Sequence, residues 1–128
     1  MVHDAARPCL KQSAIDRLII ELRIHEVGGI LAMPCRDTMK RANDAGEIEK
    51  TIERESLWHA QTPQMFKYNK LLSAIEDALE NETVVTDESM AIERMGFKPK
   101  LISGHQENIK LTHKDDLEVL KTYLDKVI

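Results

Sequence analysis

Two short motifs carry residue types that can act on a phosphate group. The first is Val2-His3-Asp4-Ala5-Ala6-Arg7-Pro8 and the second is Asn108-Ile109-Lys110-Leu111-Thr112. Val2-His3 reads as the last step of a strand, and ligands of open α/β sheets bind at the carboxyl ends of strands. A carboxylate there, as at Asp4, can hold Mg²⁺, because hard cations take oxygen ligands. Ala5 and Ala6 let a substrate approach the backbone, and the Arg7 guanidinium matches a carboxylate or phosphate. The plainer reading is an Asp–Arg pair closing a turn. Lys110 is flanked by Ile109 and Leu111, so its ammonium points away from them. That suits a phosphate-binding lysine, and equally a surface one. His59 follows Trp58, the single tryptophan, and reads as a catalytic base or as a hydrogen-bonded structural residue. Trp58 and Phe66 are expected to anchor to the body the return of the excursion that precedes them.

Alternating elements must position these groups. A helix is expected over Ser13–Glu26, capped by Ser13, with Ile15, Leu18, Ile19 and Leu22 at helical spacing. Gly28-Gly29 ends a helix instead of opening one, so it reads as a C-cap turn and not as a phosphate loop. Ile30–Met33 is a short buried strand. Strand, helix, strand in this order is a βαβ unit and implies a largely parallel sheet. Further helices are expected over Lys67–Asn81, after Thr86 as N-cap, and after Thr112 as N-cap. Lys100–Gly104 and Ile109–Leu111 read as strands.

Between Cys35 and Trp58 the chain makes a polar, patterned excursion. Asn43-Asp44-Ala45-Gly46 is a turn signal. Ile48 and Ile52 share one face of a strand whose other face is charged. The whole reads as a hairpin-like arm that leaves a compact body and returns. Such excursions are usually functional or contact a partner, with a solvated surface hairpin as the alternative.

The 128 residues suffice for one domain with one substantial core. The net charge is −4 with no basic cluster, so a nucleic-acid partner is not expected. No apolar run approaches the length of a membrane span, and no signal peptide opens the chain. No membrane association and a cytoplasmic location are therefore expected. Cys9 and Cys35 form no CxxC pair and are expected to be reduced, without a metal cluster.

Taken together, VHDAARP, GGILAMPCRDTMKR, LWHAQTPQMF, VTDESMAIE and GHQENIKLTHKDDL run in order over nearly the whole chain. In this the chain resembles the 2-C-methyl-D-erythritol 4-phosphate cytidylyltransferases of non-mevalonate isoprenoid biosynthesis. The resemblance implies an α/β fold with a partial doubly wound, mostly parallel sheet, nucleotidyltransferase-like, and a protruding β-arm. It implies CTP and methylerythritol phosphate as substrates, Mg²⁺ as cofactor, and a homodimer through residues 36–57. By motif, Asp4 corresponds to the metal-binding aspartate. Arg54 and Lys110 correspond to the residues that position the substrate phosphate for attack, and Arg7, Thr62 and Thr86 line the substrate pocket. The family's glycine-rich loop for the CTP triphosphate has no counterpart in this sequence. The resemblance therefore reads as the C-terminal half only, and the isolated chain is expected to be inactive. Two alternatives stand beside it: a sister cytidylyltransferase for ribitol phosphate, and a non-catalytic dimerisation or substrate-binding module.

Overall fold

The computed structural model describes residues 1–126. In chain order the elements are α1 (Gln12–Leu22), β1 (Gly28–Pro34), β2 (Met39–Ala42), β3 (Ile48–Ile52) and β4 (Trp58–Phe66). They continue with α2 (Tyr68–Glu80), α3 (Glu88–Arg94), β5 (Lys100–Ser103) and α4 (Lys114–Leu124).

The body is built on a three-stranded sheet in the order β4-β1-β5. Its centre, β1, is buried on both faces. Ile30 and Ala32 join Val27, Phe66, Ala74, Ala91 and Ile92 on the side of α2 and α3. Leu31 joins Ala14, Leu18, Leu22 and Ile102 on the side of α1. Alternation along a strand thus feeds two half-cores, as the two-residue period requires.

The sheet is mixed, which corrects the expectation of a mostly parallel one. β5 runs parallel to β1, but β4 runs antiparallel to it. Val2 exchanges both backbone hydrogen bonds with Gln64 of β4, again antiparallel. Val2 and β1 therefore point the same way, as a βαβ unit demands, with β4 inserted between them. Trp58–Phe66 is accordingly a nine-residue strand and not merely an anchored return. Phe66 is in the core, whereas Trp58 is partly exposed opposite Pro34 at the outer end of the ladder.

Several local expectations shift. The first helix starts at Gln12 with Lys11 at the cap position and no side-chain cap, so Ser13 lies inside it. Gly28 and Gly29 belong to β1. Gly28 has φ +122°, and a Cβ there would overlap the Met65 carbonyl oxygen; one at Gly29 would overlap that of Lys100. Close strand approach on both sides is what demands glycine here. Asp87, not Thr86, caps α3, its carboxylate accepting from Met90 N–H at 2.8 Å. His113 occupies the cap position of α4, and Thr112 and His113 both donate to Asp116. Ile109–Leu111 is not a strand; this segment is tied by a single backbone bond, Leu111 N–H to the Ala6 carbonyl at 2.8 Å.

β2 and β3 form a separate two-stranded antiparallel ribbon, exposed along nearly its whole length. Its turn is closed by Asn43, whose side-chain oxygen accepts from Ala45 N–H and Glu47 N–H, with Gly46 at φ +79°. The bond from Cys35 N–H to the Leu57 carbonyl continues the β1–β4 ladder toward the ribbon.

Candidate functional site

The register of β4 against β1 breaks in the middle. Ile30 faces Gln64 and Ala32 faces Ala60, so Leu31 alone opposes Gln61, Thr62 and Pro63. The Thr62–Pro63 peptide is cis. A bulge tolerates proline, which cannot donate to a ladder, and it re-aims neighbouring side chains. Gln61, Thr62 and Gln64 are all buried polar residues, and each holds a different segment.

Thr62 holds the Asp4 turn. Its Oγ accepts from Asp4 N–H at 3.0 Å and lies 2.8 Å from His3 Nδ1. His3 Nε2 is 3.0 Å from the Arg7 carbonyl, which can only accept, so the proton sits on Nε2. Nδ1 is then the acceptor, and the Thr62 hydroxyl donates to it. Gln61 donates to the His105 carbonyl at 3.0 Å and holds the loop before Lys110. Gln64 holds α3: it donates to Asp87 Oδ2 at 2.9 Å and accepts from Ser89 N–H at 2.9 Å.

These ties gather the candidate residues. Asp4 Oδ2 is 3.3 Å from Arg7 Nε and 3.3 Å from Lys110 Nζ. Arg7 also donates to the carbonyls of Asn108 at 2.6 Å and Ala60 at 3.4 Å. Burial alone would raise the Asp4 carboxyl; hydrogen bonds and charge from Lys110 and Arg7 outweigh it and hold the group below the usual carboxylate range. Asp4, Arg7, Thr62, Thr86 and Lys110 line one cavity of about 320 Å³, together with Asp87 and Glu88. A second cavity of about 400 Å³ lies on the other side of Arg7 and Lys110, lined also by Arg36, Asp37 and His59. The first side is thus acidic and the second basic.

Arg54 is the exception. It is exposed, lines neither cavity, and donates to the Arg36 carbonyl at the base of the ribbon. His59 lines the second cavity, with Nε2 3.4 Å from Cys35 Sγ. Gln64, Asn108 and His3 were not singled out by sequence reasoning. The only signal for them was a place inside the TPQ, NIK and VHDAAR motifs.

Among the described residues no group of three or more His, Cys, Asp or Glu is gathered for a metal. Mg²⁺ does not require such a group. That ion keeps several waters and binds through one or two carboxylates plus substrate phosphates. Both cations sit on Asp4 Oδ2, which leaves Oδ1 to other ligands.

The chain has an α/β fold with a mixed sheet, and the solved structures it superposes on are nucleotidyltransferase-like. The sequence pattern of the IspD family, 2-C-methyl-D-erythritol 4-phosphate cytidylyltransferase, matches residues 1–126. The chain belongs to that family. It is 52% identical over 127 residues to the 2-C-methyl-D-erythritol 4-phosphate cytidylyltransferase of Aliivibrio fischeri, covering 99% of this chain and 53% of the relative. The corresponding protein of Shewanella oneidensis is 52% identical over 124 residues, covering 97% and 50%. Among solved structures, the Francisella tularensis cytidylyltransferase superposes with a TM-score of 0.87 at 36% identity, covering 95% of this chain and 57% of that one. A 4-diphosphocytidyl-2C-methyl-D-erythritol synthase superposes at 0.85 with 43% identity, covering 98% and 56%. The chain spans about half the length of the curated relatives it matches.

Proposed function

We propose that this chain serves the transfer of a cytidylyl group from CTP to 2-C-methyl-D-erythritol 4-phosphate in non-mevalonate isoprenoid biosynthesis, and that it supplies the site for the acceptor phosphate. The observation that carries this reading is the convergence of Asp4, Arg7, Lys110, Thr62 and Thr86, from four separate segments, on one place. In the reaction an oxygen of the acceptor phosphate attacks the α-phosphorus of CTP and diphosphate leaves. Such chemistry depends on positioning and charge stabilisation more than on covalent help.

The roles divide by charge. Lys110, Arg7 and Arg36 face the basic cavity and would neutralise the acceptor phosphate dianion there. Asp4 would hold Mg²⁺ on the acidic side; bound there, the ion would supply charge neutralisation at the phosphates. Thr62 and Thr86 offer hydroxyls to a polyol. Arg54, exposed at the base of the ribbon, would leave its own Arg36 and reach the basic cavity of the partner subunit in a ribbon-mediated homodimer.

Calorimetric titration of the chain with methylerythritol phosphate tests the reading, with ribitol phosphate and inorganic phosphate as comparison arms. Selective binding of methylerythritol phosphate is expected, weakened by Lys110→Ala. Preference for ribitol phosphate would favour the sister enzyme. Absence of binding to all three would leave a dimerisation module.

A further inference from the structure

Lys110 lies outside regular structure, yet its ammonium meets Asp4. Something other than a sheet ladder must place it. Residue Asn108, two positions earlier, is completely buried at 0% exposure. Its Nδ2 donates to the Thr62 carbonyl at 2.8 Å, with Gln61 Oε1 at 3.5 Å. Its own backbone carbonyl receives Arg7 Nη1 at 2.6 Å. Its backbone N–H closes a turn onto the His105 carbonyl, which Gln61 binds from the other side. At the start of the loop Gly104 donates to the Ala32 carbonyl and lies so close to Gln61 Oε1 that a Cβ would overlap it.

Packing does not explain this asparagine. Among the described residues its Oδ1 is buried with no hydrogen-bond partner. An unpaired buried oxygen is a desolvation cost that an apolar residue would avoid. The return lies on the other side of the amide, where one donor closes the loop onto the bulge of β4.

We propose that Asn108 is a positioning residue: its buried carboxamide latches the 104–111 loop to the β4 bulge and thereby sets Arg7 and Lys110 around Asp4. The inference rests on the proposed acceptor-phosphate site for its functional consequence, but not for the latch itself. The Asn108 backbone carbonyl fixes the Arg7 guanidinium directly. The same loop delivers Lys110, and the Leu111 N–H bond to the Ala6 carbonyl then closes it against the Asp4 turn. One side chain thus registers the two cations against one carboxylate.

Hydrogen exchange read by NMR on the 128-residue chain tests the latch. The probes are the Asn108 carboxamide protons and the backbone amides of Asp4 and Leu111, with Ile30 and Leu31 in β1 as internal references. In the wild-type chain the Asn108 carboxamide should exchange slowly; exchange at the rate of free solvent amides overturns the proposal without any variant. Asn108→Ala should speed exchange at Leu111 and Asp4 roughly tenfold or more, with Ile30 and Leu31 unchanged, as local opening without global unfolding requires. Equal acceleration at all four amides, or none at Leu111, would make Asn108 an ordinary core residue. If Asn108→Ala does not fold, Asn108→Leu replaces it, since that change keeps the volume and removes the donor without adding a charge. Calorimetry with methylerythritol phosphate supplies the functional readout, with roughly tenfold weaker binding expected in the variant. Equal affinity with a loosened Leu111 would refute the positioning role. Failure of the wild-type chain to bind would instead refute the substrate reading, while the exchange data still decide the latch.

Discussion

Lys110 Nζ lies 3.3 Å from Asp4 Oδ2, although the two residues come from opposite ends of the sequence. Arg7 approaches the same oxygen at the same distance. One carboxylate therefore serves two cations, and the balance of charge at this point governs both stability and the site.

The Asp4 carboxyl is held below its ordinary value of 3.8, which makes a definite pH signature. A carboxylate with a lowered folded pKa stabilises the fold above its unfolded pKa and loses that contribution as pH falls through the folded one. Wild type should therefore melt above Asp4→Asn at neutral pH. The gap should stay constant down to about pH 5 and shrink on acidification below about pH 4. Thermal melts of both proteins across pH 2–7 check this; a gap independent of pH would contradict it.

In an enzyme of full family length, Lys110→Ala and Arg54→Ala should each lower kcat/KM on the order of 100-fold. This is the scale of losing a charged donor worth roughly 2–3 kcal/mol. Arg54→Ala should leave Tm nearly unchanged, because exposed charges contribute little to stability, whereas Lys110→Ala should lower it slightly, since Asp4 loses one of its two cations. Mixing the two single variants should restore part of the activity if each pocket takes Arg54 from one subunit and Lys110 from the other. Inactive heterodimers would instead keep Arg54 within its own subunit, beside Arg36.

Gln64 is only 1% exposed and uses both ends of its amide to hold the start of α3. Gln64→Leu keeps the bulk but leaves Ser89 N–H without its acceptor. A loss of roughly 2–3 kcal/mol is expected, read as a lower urea midpoint with unchanged slope. Gln64→Glu should be worse at neutral pH, since it would bury a carboxylate against Asp87.

The β2–β3 ribbon exposes its backbone edges and Ile48, which is 67% exposed. An unpaired ribbon edge is a template for another chain. The wild-type chain is expected to dimerise through residues 36–57, and replacing residues 39–52 by a short glycine-serine link should give a monomer. Light scattering across a concentration series distinguishes the two states.

Elements with a local rule were legible. Helix α1 showed its apolar spacing in Leu18 and Leu22, although Ile19 of the same stripe is exposed, and the ribbon showed its turn in Asn43–Gly46. Strand β4 did not, because its middle is Gln61-Thr62-Pro63-Gln64. Polar residues and a proline argue against a buried strand, and only a bulge that gives each of those side chains a distant partner reverses the argument. Missing β4 made the sheet look parallel. The caps failed on a smaller scale: Ser13, Thr86 and Thr112 are good cap residues, but neighbouring positions took the role once the helices were placed.

The sequence by itself determined the alternation of elements, the exposed excursion and, through motif order, the family. Through the resemblance to that family it also pointed to Asp4, Arg7, Thr62, Thr86, Arg54 and Lys110 as candidates, a set whose cations, hydroxyls and carboxylate suit a phosphate and a metal. Only the tertiary structure decided which of these meet. Charge attraction between Lys110 and Asp4 is not encoded by spacing; it follows from buried polar donors and acceptors of Gln61, Thr62 and Asn108, whose partners lie on the segments that carry the site. Arg54 lies elsewhere, just past β3 at the base of the ribbon, where it is tied to the Arg36 carbonyl and not to the cluster.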